Sequence, residues 1–491
     1  KSGGTGNLEY VIDTNNHSGT LATSVNLEGY QFKDNTAAAY TTADGIHAEA
    51  WAGRTKIGNT VTNNTLTVSG GTLTTAAYGG LVENTKRDRG TGQYLTTGNA
   101  AKNTLALTGG SIVNGYGADV RTKDGRAEEN AVTISGGNAT GSVYGAALTA
   151  AGATGEATKN SVTVSGGSVT GDVVGGALTQ ADAAGNATGN TAAISAGTVG
   201  GTVYGGKNAG TGAATGNKVT VTGGTLAGDL YGGFANGAGA TTDNTVNLGD
   251  GDHSLPTGTN IAGTIYGGNK ATDTGNTLNV NTNATAGNIA HFENLKFNLN
   301  SSALNAANPM LTLSAGATSN LDWGKLTVDA TNFNSGISTY EAYNLVLMRN
   351  ASGIDFTKNS TDTYTANGGV KGVTSGNFEF SIDTLGSGVS TTEVRAAGYQ
   401  YKNHTGATYN EATPHTEAWA GRTAVGNKVE NNKLSVTGGS LTTAAYGGLV
   451  VNNKPSATTG DAEKNTVAIS GGTVANAYGA DVRTKDGNAT E

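Results

Sequence analysis

The sequence predicts an all-β chain folded as a parallel β-helix, or β-solenoid, and three observations carry that expectation: its composition, a short repeat with strand-like alternation, and a long super-repeat. The 491 residues include 79 Gly, 4 Pro and no Cys, with 13% charged and 6% aromatic residues. Gly is more than twice its ordinary share and charge about half of it. Collagen would need Gly at every third position and abundant Pro. Charge-driven disorder would need a large net charge, whereas the net charge is -8 and Val, Ile, Leu and Thr recur throughout. An ordered, low-charge, β-rich chain remains. With 29 Lys plus Arg against 37 Asp plus Glu, no basic stripe is available to neutralise phosphates, so nucleic acid is not expected as a partner. The lack of Cys removes disulfides, thiolate catalysis and Cys-based zinc sites. The best apolar run, YNLVLM at 343–348, falls far short of the ~20 residues of a spanning helix, so no membrane insertion by this segment is expected. The opening KSGGTGNLEY has no signal-peptide pattern, which suggests either a cytosolic protein or an interior piece of a longer one.

The short repeat sets the coil. Aligned on an Asn, the units read NAVTISGGNATGSVYGA from Asn130, NSVTVSGGSVTGDVVGG from Asn160, NTAAISAGTVGGTVYGG from Asn190 and NKVTVTGGTLAGDLYGG from Asn217. The Asn markers at 103, 130, 160, 190, 217, 244 and 276 are 27, 30, 30, 27, 27 and 32 residues apart, a solenoid period. Within a unit, apolar residues fall two and four after the Asn, as Val219 and Val221 do, with Thr between them. That parity is a half-buried strand. A Gly-Gly corner follows, and then a second stretch in which Leu226 and Leu230 share a face. The Leu226 slot holds Leu73, Ile112, Val169, Val199, Leu441 and Val474 in other units, so equivalent side chains should stack.

Coils of 27–30 residues accommodate two or three short strands joined by Gly corners, each pairing with the coils above and below at ~4.8 Å. Right-handedness is expected from the bias of parallel crossovers. A β-propeller would need blades of ~40 residues with antiparallel turn signals that these units lack.

The super-repeat is about 370 residues long. NLEYVIDT at Asn7 returns as NFEFSIDT at Asn377, GYQFK at Gly29 as GYQYK at Gly398, and EAWAGRT at Glu49 unchanged at Glu417. LTTAAYGGLV at Leu73 recurs at Leu441, and YGADVRTKDG at Tyr116 recurs at Tyr478. Four segments follow: 1–63, an irregular solenoid start; 64–276, regular coils; 277–370, a divergent solenoid segment closing the super-repeat; and 371–491, a partial second copy.

Units of this form, followed by a block running from HFENLKFNLN through PMLTLSAGA to LVLMRN, resemble the passenger region of large Gram-negative autotransporter adhesins over nearly the whole chain. The resemblance implies a right-handed β-helix, export through the outer membrane by a C-terminal β-barrel, and display at the bacterial cell surface.

Little in the sequence points to chemistry. None of the six histidines (17, 47, 253, 291, 404, 415) stands at the i, i+4 spacing of a helical metal site, and solvent-exposed or structural roles are expected. GDGDH at 249–253 offers Asp250 and Asp252 but lacks the further ligands of a calcium loop, so no metal or other cofactor is expected. For a polysaccharide-active enzyme the candidate acid and base are Asp172 and Asp229, yet Thr202 holds the same slot in the intervening coil. A non-enzymatic role is therefore expected. Tyr78, Tyr116, Tyr144, Tyr204, Tyr231 and Tyr266 recur opposite in parity to the apolar face and should form a longitudinal row, either a structural stack or a binding surface. The super-repeat also repeats Arg121, Lys123 and Asp124 as Arg483, Lys485 and Asp486. These nine residues form the candidate binding surface of an extracellular, fibre-like adhesin or matrix component. Its partners would be a host or neighbouring-cell surface glycan or protein, or copies of itself. A self-assembling extracellular filament subunit is the second reading.

Overall fold

The computed structural model describes all residues except 1, 15–24, 88–90, 92, 94, 252–259, 300–306, 332, 334–336, 358–363, 366–367, 386–389 and 455–456. It is a parallel β-solenoid of about 14 turns with a spacing of about 30 residues. Two compact units divide the chain: Lys1–Asp250 with Leu255–Leu278 and Ile289–Glu293, and Gly251–Ser254 with Asn279–Asn288 and Asn294–Glu491.

In the first unit each coil up to Thr215 has three strand positions. The Asn-led strands Ala131–Ile134, Ser161–Val169, Thr191–Val199, Lys218–Val221 and Thr245–Leu248 pair in parallel, with Val132 opposite Val162 and Ala192 opposite Val219. The tyrosine strands Val143–Leu148, Val173–Leu178, Val203–Asn208 and Leu230–Ala235 form a second ladder. Two-residue return strands such as Ala127–Glu128, Ala157–Thr158 and Ala187–Thr188 form a third. Inward positions stack as the alternation requires. Ile134, Val164, Ile194, Val221 and Leu248 form one buried column, and Ile112, Ala139, Val169, Val199, Leu226 and Ile261 another. Each larger side chain contributes about 1.5–3 kcal/mol by burial, which only neighbouring coils make available. The return-strand corner is lined instead by Ala100, Ala127, Ala157, Ala187 and Ala214, small enough for a tight bend.

Glycine is required where coils approach. An added Cβ at Gly175 would overlap the Gly205 carbonyl oxygen and come within 2.6 Å of the Thr191 carbonyl oxygen. At the corner after the Asn-led strand, Gly167 has φ +68°, the left-handed region that L side chains avoid.

The markers themselves form a buried ladder. Asn64, Asn103, Asn130, Asn160, Asn190, Asn217, Asn244 and Asn276 are at most 1% exposed, and from Asn64 to Asn244 each Nδ2 donates to the Oδ1 of the next at 2.8–3.2 Å. The same Oδ1 accepts the backbone N–H of the previous Asn, as Asn190 does from Asn160 at 2.9 Å. The residue immediately before each ladder Asn is left-handed whatever its type: Asn63, Lys102, Glu129, Lys159, Gly189, Gly216, Asp243 and Gly275 have φ between +53° and +81°. That turn carries the chain from the return strand into the next Asn-led strand.

The regular coils begin earlier than the sequence indicates. Ala38–Tyr40 already pairs with Leu66–Val68, and Ile46–Thr55 with the strand Thr65–Val82. A 3-10 turn at Thr42–Asp44 stands where later coils have Gly-Gly, which hid this coil from the repeat. Ahead of it, Leu8–Thr14 and Val25–Gln31 are antiparallel, a hairpin-like sheet and not a coil. Its Glu9 is fully buried, accepting from Thr55 Oγ1, the Lys56 backbone N–H at 2.8 Å and Asn59 Nδ2 at 2.9 Å.

In the second unit, parallel pairing continues through Leu295–Asn298 with Leu326–Asp329 and Leu311–Leu313 with Met348–Asn350. The strand Tyr343–Thr357 then turns the sheet antiparallel by pairing with Ser390–Gln400, which pairs with Phe378–Leu385. The divergent segment thus ends in an antiparallel layer. Parallel coils resume at Ala407–Tyr409 against Lys433–Val436, whose Asn432 Nδ2 donates to Asn465 Oδ1 at 2.8 Å.

Candidate binding row of stacked aromatic rings

Register in the tyrosine ladder decides which rings meet. Trp51 lies opposite Tyr78, Tyr78 opposite Tyr116, Tyr116 opposite Tyr144, Tyr204 opposite Tyr231, and Tyr231 opposite Tyr266. The rings of Tyr78, Tyr116 and Tyr144 stack with centroids 5.2 Å apart. Those of Tyr204, Tyr231 and Tyr266 stack at 5.4 and 4.4 Å. Val174 holds the slot between Tyr144 and Tyr204, fully buried, and divides the row into two sets of three. Trp51 extends the first set, a residue the period-based reading missed because its coil lacks the Gly-Gly corner.

Stacking uses the ring faces, so only edges remain for a partner. Tyr78 and Tyr204 are buried, while Tyr116, Tyr144, Tyr231 and Tyr266 are half-buried. Burial pushes the phenols of Tyr78, Tyr116, Tyr204 and Tyr231 above their ordinary pKa. A second row, three residues on, flanks the rings. Lys207 Nζ stands 4.3 Å from the Tyr204 centroid and pairs with Asp172 at 3.0 Å, and the Phe234 edge meets Tyr231 at 5.3 Å.

The expectation that YGADVRTKDG presents free charges is corrected. Arg121 pairs with the buried Asp119 at 2.8 Å and with Glu83 at 3.2 Å, and donates to the Tyr78 hydroxyl at 2.9 Å. That hydroxyl donates in turn to Glu49 at 3.2 Å. Asp124 accepts from Thr96 and, at 2.8 Å, from Thr154, tying loops of neighbouring coils together. Of the three charged residues only Lys123 projects without such a role. The copy repeats the arrangement. Arg483 pairs with Asp481 at 2.9 Å and donates to the Tyr446 hydroxyl at 2.7 Å, while Tyr446 stacks on Tyr478 at 5.5 Å. Repetition of the arginine and of Asp124 is thus explained by packing between coils, whereas that of Lys123 is not.

Asp172 and Asp229 are likewise occupied. Asp172 Oδ1 accepts the Thr202 N–H at 3.0 Å, and Asp229 Oδ1 the Thr264 N–H at 2.8 Å, with Thr202 between them in the column. They act as inter-coil acceptors, like Asn114 for the Ser142 N–H at 3.0 Å. Of the described histidines, His404 starts the second Asn ladder with its N–H on Asn432, and the exposed His47 and the half-buried His415 meet Tyr40 and Tyr409 edge-on at 6.0 Å. His17, Asp252 and His253 lie outside the described residues. Among the described residues, no group of three or more His, Asp or Glu gathers as a metal site, and no helix is long and apolar enough to cross a membrane.

No family model, curated protein or solved structure matches the chain.

Proposed function

We propose that the protein is a non-enzymatic, extracellular adhesive or matrix-building β-solenoid, as its resemblance to autotransporter passengers suggests. The observation that carries this reading is the repeated aromatic edge. Half-buried Tyr116 and Tyr144 stand on adjacent coils, as do Tyr231 and Tyr266, and the stack recurs at Tyr446 and Tyr478 in the second copy. Amphipathic ring edges at coil spacing suit an extended surface polymer, glycan or protein. Many weak contacts on one chain raise the effective concentration for each other. The engagement of Asp172 and Asp229 by backbone N–H groups disfavours the glycan-cleaving alternative.

The test is binding of the full chain to immobilised extracellular polysaccharides and matrix proteins, compared with chains carrying two or three super-repeats. Weak binding that strengthens steeply with copy number, and falls when Tyr116 and Tyr144 are both changed to Ala, supports adhesion. Affinity independent of copy number favours a structural spacer, concentration-dependent assembly without a ligand favours a filament subunit, and turnover of a polysaccharide favours an enzyme.

A further inference from the structure

The two super-repeat copies wear the same sheet differently. In the second copy Phe380 and Ile382 are fully buried and Ala396 is 2% exposed. The cover comes from the segment just before them. The Phe333 ring meets Phe378 at 5.5 Å and Phe380 at 6.2 Å, and the strand Tyr343–Thr357 pairs with the outer edge of Ser390–Gln400, setting Tyr343 opposite Gly398 and Leu345 opposite Ala396. In the first copy the corresponding residues Leu8, Tyr10, Ile12 and Leu27 are 42%, 40%, 39% and 64% exposed. They share one face, since Ile12 lies opposite Leu27 and Tyr10 opposite Gly29. Among the described residues the outer edge of Val25–Gln31 carries no strand.

The opposite face shows that the two sheets are seated alike. Glu379 accepts from Thr423 Oγ1, the Ala424 N–H at 2.8 Å and Asn427 Nδ2 at 2.8 Å, as Glu9 does from Thr55, Lys56 and Asn59. With the inner face fixed, the outer face of the first copy has the orientation that the second copy covers, and all four positions stay apolar. An exposed apolar sheet face beside an edge that carries no described strand is the usual mark of a docking site.

We propose that Leu8, Tyr10, Ile12 and Leu27 form the docking face for the closing segment of another super-repeat on the same polypeptide. That segment would resemble residues 323–357 and add its own strand to the Val25–Gln31 edge. The source in cis is argued from the second copy, where the cover is supplied by the residues immediately preceding the sheet. The inference is independent of the adhesive reading.

The test extends the full chain by a duplicate of residues 294–370 placed ahead of Lys1, with amide hydrogen exchange read at Val25–Gln31. Exchange there should slow by about 100-fold or more against the unextended chain. Leu27→Arg should reverse this while leaving Ser390–Gln400 unchanged. Unchanged exchange in the extended chain overturns the proposal. So does concentration-dependent protection of the unextended chain that Leu27→Arg abolishes, which would assign the face to a second molecule. Should the extended chain not fold, a peptide of the Tyr343–Thr357 sequence is added to the unextended chain; absence of slowing at saturating peptide is then the overturning result.

Discussion

Asn130 and Asn160 lie 30 residues apart in sequence, and the Nδ2 of the first donates to the Oδ1 of the second at 3.0 Å inside the coil stack. Asn160 in turn donates to Asn190 Oδ1 at 3.1 Å and to the Ala127 carbonyl at 3.0 Å. An amide is the one neutral side chain of this length that can both accept and donate toward successive coils.

Asn160→Ala would leave the Asn130 backbone N–H and one of its two Nδ2 hydrogens without an acceptor in a dry interior, the other staying on the Ala100 carbonyl at 3.2 Å. A loss of about 3 kcal/mol is expected, since each orphaned buried group costs about 1–3 kcal/mol. Asn160→Asp keeps the acceptor but buries a charge and loses the donor, so its damage should lessen at low pH. Urea unfolding of the three proteins reads this, and a loss below about 1 kcal/mol for Asn160→Ala would make the ladder incidental.

Lys159 has φ +53°, whereas Gly189 fills the equivalent position at φ +64°. Left-handed backbone costs an L residue about 1–2 kcal/mol, partly offset here by the flexibility Gly adds to the unfolded chain. Lys159→Gly should therefore stabilise by about 0.5–1 kcal/mol. Gly189→Ala should destabilise by about 1–2 kcal/mol from backbone strain alone, because an added Cβ would meet only Lys159 Cγ at 3.8 Å. Melting temperatures that move together in the two variants would refute the assignment.

Val221 is fully buried, so Val221→Asp should cost several kcal/mol, on the order expected for an unpaired buried charge. Parity alone makes Tyr231 an outer residue of small consequence. The structure raises that value, because its ring stacks between Tyr204 and Tyr266 and abuts Phe234. Tyr231→Ala should cost about 2–3 kcal/mol, less than Val221→Asp and more than an exposed substitution. Differential scanning calorimetry giving no loss for Tyr231→Ala would show that the row does not support the coils.

Asp329 pairs with Lys296 at 2.7 Å and accepts from Thr331, which holds its carboxyl down to about 2 from a usual 3.8. A carboxylate with a depressed pKa stabilises the fold above the unfolded value and loses that contribution as pH falls toward the folded one. Stability of the wild type should therefore decline between about pH 4 and 2 more steeply than that of Asp329→Asn. Parallel acid titrations of unfolding check this, and identical slopes would remove Asp329 from the balance.

Alternation around Val219 and Val221 and the recurrence of Leu73, Ile112 and Val199 were enough to read coil, period and core, because inward parity is a property of each strand by itself. The Asn recurrence was equally visible, but its bonding depends on coil-to-coil stacking that one coil does not reveal. The left-handed turn left almost no signal, since Lys, Glu, Asp, Asn and Gly all occupy it and only Gly hints at positive φ. Arg121 is an exposed charge as its sequence context suggests, but its pairing was not legible because Glu83 and the Tyr78 hydroxyl are brought to it by the preceding coil. The antiparallel sheet at 8–31 was invisible for the opposite reason: its pattern is a strand pattern, and direction of pairing is not written in parity.

The interchangeability of neighbouring ladder positions bears on how such a gene can change. Excising residues 160–189 would join left-handed Lys159 to Asn190 and hand Asn130 the same partner group it had before. It would also remove Val174 and bring Tyr144 against Tyr204. The Asn ladder and the ring stack at the seam repeat patterns found elsewhere in the molecule, and the ion pair lost is that of Lys207 with Asp172, so recombination can add or drop a coil with little repair, and stability should change by one roughly constant increment per coil.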